Sequence, residues 1–107
     1  MLRLFKRSGA APVTVTLVGK PGCHLCDDAR RTVREVAAET GADVEELDIT
    51  APDFDPALKQ EYWEQIPVTL VNGARHDFWR VDAERLRKAI AAAAARLSTR
   101  GRAARRP

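Results

Sequence analysis

The chain has 107 residues, 45% of them apolar and 31% charged. That is enough for one modest core and not for two. No apolar run approaches the roughly 20 residues of a membrane helix. Met1-Leu2-Arg3-Leu4-Phe5-Lys6-Arg7 is basic, but no apolar stretch of signal-peptide length follows it, so a cytoplasmic protein is expected. There, a cysteine pair is more often catalytic, redox-sensing or metal-binding than a structural staple. The net charge of +3 is uneven, because all 15 Asp and Glu lie between a basic N-terminus (Arg3, Lys6, Arg7) and a basic C-terminal end (Arg96, Arg100, Arg102, Arg105, Arg106). The body is therefore acidic. No aromatic residue is interleaved with the C-terminal arginines, so that end is expected to solubilise the chain, and nucleic acid is not an expected partner.

Residues 1–12 close on Gly9-Ala10-Ala11-Pro12 and are expected to be a flexible lead-in. Val13 to Val18 alternates and is β-branched, which predicts a strand, with Val18 suiting a strand covered on both faces. A helix follows from about Cys23 to Thr40, with Leu25, Ala29, Val33, Val36 and Ala37 on one stripe and Gly41 as its left-handed cap. Asp43 to Ile49 alternates again and should pair in parallel with the first strand, because a helix joins them. Asp55-Pro56 opens a short helix to about Glu64, with Leu58 and Tyr62 on one face. Val68 to Val71 and about Ala74 to Trp79 form two strands around an Asn72-Gly73 hairpin turn. Asp82 caps a last helix whose inner face is Ala83, Leu86, Ile90, Ala93 and Leu97. Residues 98–107 are expected to be a basic, disordered tail. Phe54 and Phe78 are expected in the core. The order β-α-β-α-β-β-α predicts an α/β fold.

Both cysteines fall in Lys20-Pro21-Gly22-Cys23-His24-Leu25-Cys26-Asp27, between the first strand and the first helix. Cys23 would sit at a helix N-terminus, where unpaired N–H groups and the dipole favour a thiolate. Lys20 adds a positive charge, whereas Asp27 and Asp28 in the first turn oppose a thiolate. His24 either donates to the thiolate or is solvated.

These residues resemble the glutaredoxin-like branch of the thioredoxin superfamily over about Val13 to Leu97. The resemblance rests on Lys20-Pro21-Gly22-Cys23-x-x-Cys26 after the first strand and on Ile66-Pro67-Val68 before the third, with the hairpin and closing helix in support. It is strongest with small bacterial glutaredoxin-like proteins of poorly defined function. It implies a thioredoxin-like three-layer α/β/α sandwich with a four-stranded mixed sheet, spanning residues 13–97. It also implies that Cys23 attacks and Cys26 resolves, that Pro67 is a cis proline, and that Ile66 offers its backbone to substrate. Two positions depart from the glutathione-binding pattern. Gln65-Ile66-Pro67 stands in place of Thr-Val-Pro, and Trp79-Arg80-Val81-Asp82 lacks the expected glycine pair. Glutathione is thus a doubtful cosubstrate, and no bound cofactor is expected.

The function expected from these residues is thiol–disulfide exchange on a protein or small-molecule disulfide, by a monomer fed by an electron donor the sequence does not identify. The alternatives are a non-catalytic thioredoxin-fold binding module and a metal-binding thiol site; no metal ligand set is assigned. Trp63 is expected to pack beside the Ile66-Pro67 turn. Trp79 either packs under the last helix or lines the groove near Cys23. Arg75 and Arg80 are expected to be solvated, with Arg80 also a candidate for holding an anionic substrate.

Overall fold

The computed structural model describes residues 13–104. The lead-in at 1–12 and the last three residues lie outside that range. Chain order is β1 (Thr14–Gly19), α1 (His24–Thr40), β2 (Asp43–Asp48), α2 (Pro56–Tyr62), β3 (Val68–Val71), β4 (Ala74–Phe78) and α3 (Ala83–Ala104). The sheet order is β2-β1-β3-β4. β1 runs parallel to β2, Val15 opposite Val44, and antiparallel to β3, Val15 opposite Val71. This is the thioredoxin-like three-layer arrangement.

The sheet separates two apolar clusters. Val13, Val15, Leu17 and Val71 pack with Ala29, Val33 and Val36 of α1 and with Leu86, Ile90 and Ala93 of α3. On the opposite face Val18 and Val68 pack with Ile49 and Tyr62, with Phe54, Ile66 and Leu70 around them. β1 contributes to both, which explains why its alternation fails at Val18.

Local chemistry sets the element ends. Gly41 closes α1 at φ 81°, its amide donating to the Ala37 carbonyl at 2.8 Å, a conformation that favours glycine. Asp55 caps α2 through Ala57 N–H at 2.9 Å, and Asp82 caps α3 through Arg85 N–H at 3.0 Å. Asn72 and Gly73 both have positive φ, 50° and 84°, as a type I′ turn requires.

Among the elements and the core, the structure departs from the sequence reading at Leu25, Leu58, Phe78 and the end of α3. Leu25 is 39% exposed, and Cys26 takes its place on the inner stripe of α1. The two positions are one step, roughly 100°, apart around the helix, and Cys26 is the one centred over the sheet. Leu58 is 37% exposed, so Tyr62 is the buried residue of α2, which ends there rather than near Glu64. Phe78 is 40% exposed rather than core. α3 continues to Ala104, past the expected end near Leu97. The alanine and arginine content there favours helix enough to carry the backbone through Gly101.

Candidate functional site

β1 ends at Gly19, and the chain turns through Lys20-Pro21-Gly22 onto the N-terminus of α1. Cys23 is the N-cap, at φ −108° and ψ 116°. Its Sγ accepts the Cys26 amide N–H at 3.3 Å, and its carbonyl accepts the Asp27 N–H at 3.0 Å. A thiol has taken the place usually held by a serine or aspartate oxygen. Cys23 is half-buried and Cys26 is fully buried; both are free cysteines.

Cys26 packs against Gly19. A Cβ at residue 19 would lie 3.0 Å from Cys26 Sγ and 3.2 Å from its Cβ, so the missing side chain makes room for the second sulfur. Burial, first, and the hydrogen bond with Cys23 push the Cys26 thiol up to about 11; the Lys20 backbone and the Arg30 charge pull the other way. Arg30, one turn along α1, bonds Asp27 at 2.8 Å and Glu46 of β2 at 2.9 Å, and Arg34 also bonds Glu46. Cys26, Lys20, Arg30, Glu46 and Asp48 share the wall of a pocket of about 360 Å³ beside β2.

Lys20 extends toward Trp63, its ammonium 5.2 Å from the ring centroid, and Lys59 lies 5.5 Å from the same ring. Trp63 is largely exposed, so it is a surface platform for two cations rather than packing for the turn. His24 is exposed in the first turn of α1.

The Ile66–Pro67 bond is cis. Pro67 is fully buried and Ile66 packs on the second cluster. Trp79, just past β4, donates its amide to Pro67 O at 2.8 Å and its indole Nε1–H to Glu64 O at 3.1 Å. Trp79 is 51% exposed and so is not packed under α3. Leu25, Trp79, Arg80 and Val81 line two adjoining pockets, of about 480 and 240 Å³, between the start of α1 and the β4–α3 corner. Arg80 is exposed there. Arg75 is not simply solvated, because it donates to Gln65 Oε1 at 2.7 Å and its guanidinium lies 5.7 Å from the Tyr62 ring.

Gly19, Arg30 and Leu25 escaped the sequence reading as site residues. A glycine immediately before Lys20-Pro21-Gly22 was the available signal for the first. The other two depend on how α1 is rotated against the sheet. Among the described residues, no three His, Cys, Asp or Glu side chains form a group that could hold a metal ion, and no helix is long and apolar enough to cross a membrane.

A cysteine pair spanning the first turn of a helix, after the first strand of a β2-β1-β3-β4 sheet with a cis proline before β3, makes this a thioredoxin-fold module. The chain belongs to the glutaredoxin-like domain family (DUF836), whose model matches residues 14–91. It is 34% identical over 79 residues to the uncharacterized protein Rv0508 of Mycobacterium tuberculosis and to Mb0520 of Mycobacterium bovis, covering 72% of this chain and 81% of each relative. Among solved structures it is similar to protein XcR50 from X. campestris, with 32% identity, TM-score 0.57 and coverage of 73% of this chain and 96% of that one. It shares its fold with a mutant thioredoxin from Halobacterium salinarum NRC-1, at 20% identity and TM-score 0.54, covering 84% of this chain and 81% of that one.

Proposed function

We propose that the protein is a thiol–disulfide oxidoreductase that reduces protein or small-molecule disulfides through Cys23 and Cys26. The observation that carries this reading is the division of labour between the sulfurs. One caps a helix at the surface and the other is buried directly behind it. Cys23, as thiolate, attacks one sulfur of a substrate disulfide, forming a mixed disulfide and expelling the other sulfur as a thiol. Cys26 then loses its proton and attacks Cys23 Sγ. The Cys23–Cys26 disulfide forms, and the second substrate thiol leaves. Two electrons pass from the protein to the substrate, and an external thiol donor restores the pair.

The amide N–H of Cys26 supports negative charge on Cys23, and the cation of Lys20 adds to it from the same loop. His24, exposed beside Cys23, tunes the potential. Ile66 and Pro67 form one wall for an extended substrate, with Trp79 and Arg80 in the groove beyond. In this reading the chain works as a cytoplasmic monomer. Its donor is a low-molecular-weight thiol or a reductase, and glutathione is the less favoured donor because Trp79 and Arg80 occupy the place of close backbone approach.

The test is trapping with a disulfide-bonded peptide. Wild-type protein should release reduced peptide, Cys26→Ser should accumulate the mixed disulfide on Cys23, and Cys23→Ser should do neither. Full reductase activity in Cys23→Ser would remove the assignment.

A further inference from the structure

Trp79 has φ +66°, a conformation that L residues with large side chains rarely adopt. Asn72 shares a positive φ but sits in a turn that demands it. Core packing does not explain Trp79, because it is 51% exposed. Its polar atoms give the reason. The amide N–H donates to Pro67 O at 2.8 Å and to Gln65 O at 3.3 Å, and the indole N–H donates to Glu64 O at 3.1 Å. Three carbonyls of one four-residue turn are thus bonded by a single residue, and Ile66 is the member these bonds skip. Phe78 braces the indole edge-on, with ring centroids 5.0 Å apart.

We infer that Trp79 is a positioning residue, a strut from the β4–α3 corner that holds the Glu64–Pro67 turn at the height where the Ile66 backbone meets an extended substrate. It acts on exchange through the turn and not by touching sulfur. The inference rests on the thiol–disulfide reading above for its role in exchange, and on hydrogen bonds alone for the strut itself.

The test is Trp79→Phe, which keeps the backbone bonds and an aromatic ring and removes the indole donor. The reporter is the Gln65 amide, which donates to Tyr62 O at 2.7 Å inside the same turn. Its hydrogen exchange should quicken about fivefold, the size of one net hydrogen bond. With an extended disulfide peptide, kcat/KM should fall by about the same factor, with the loss in KM and the Cys23–Cys26 reduction potential unmoved. A Gln65 amide that exchanges as in wild type overturns the strut. So does a loss confined to kcat or a shifted potential. If wild-type protein reduces no disulfide, the redox reading falls by itself, and the Gln65 amide still decides the strut. Should the Phe variant not fold, Trp79→Gly takes the positive φ freely, keeps both backbone bonds and exposes the same amide to the same measurement.

Discussion

The amide N–H of Cys26 points at the Sγ of Cys23, 3.3 Å away, so the two cysteines are linked as cap and capped before any disulfide joins them. The same contact closes the first turn of α1 and offers a donor to sulfur charge. Stability and reactivity therefore meet in one atom, and substitutions can separate them.

Cys23→Ser leaves an oxygen at the cap and should unfold at nearly the wild-type urea midpoint while losing exchange. Cys23→Ala removes the cap and should lose about 1 kcal/mol of stability. Equal midpoints for the two variants would show that the sulfur does not cap the helix.

Gly19→Ala would place a methyl 3.0 Å from Cys26 Sγ. The buried sulfur has little room to retreat, so the substitution should destabilise by roughly 1–3 kcal/mol and slow the resolving step. Urea unfolding and the lifetime of the mixed disulfide read the two effects.

The Cys26 thiol is raised from 9.0 to about 11, chiefly by burial. The folded state thus favours the neutral thiol. The stability this contributes is complete below the unfolded value and disappears as pH rises toward 11. Under reducing conditions, the stability advantage of wild type over Cys26→Ala should shrink between pH 8 and 11. A difference constant across that range would contradict the burial.

Glu46 is pushed up by burial, but hydrogen bonds from Arg34 and Arg30 outweigh that and leave it below the usual carboxylate range. Its contribution is present above its unfolded pKa and is lost as pH falls through the folded one. Glu46→Gln should cost up to about 1 kcal/mol at neutral pH, less at pH 3 and less in high salt. Thermal melts at two pH values and two salt concentrations check it.

Much of the fold was legible because its signals are local. Asn72-Gly73, Asp55-Pro56 and Gly41 each need only their own backbone, and the alternation of Val13 to Leu17 needs only a sheet. The position of the cysteine motif, between the first strand and first helix, was equally plain. What escaped depends on contacts between distant residues. Sequence spacing did not show that Cys26 rather than Leu25 faces the core, because the stripe tolerates either at its edge. Nothing near Trp79 says that it bonds residues 64 to 67, and the Lys20–Trp63 contact joins separate loops. Phe78 and Leu58 are apolar without being buried, a common outcome in a chain whose sheet has only four strands.

The borders of that sheet decide how copies of the chain behave in a crowd. β2, on one border, carries Asp43, Glu45 and Asp48, with Glu46 among them held by Arg30 and Arg34. β4, on the other, is broken by a register shift opposite Thr69 and Leu70. A second molecule seeking to extend the ladder would meet like charges on one side and a kinked, mismatched strand on the other. Both borders therefore oppose strand-to-strand pairing between copies, and the sheet is closed to extension at either edge.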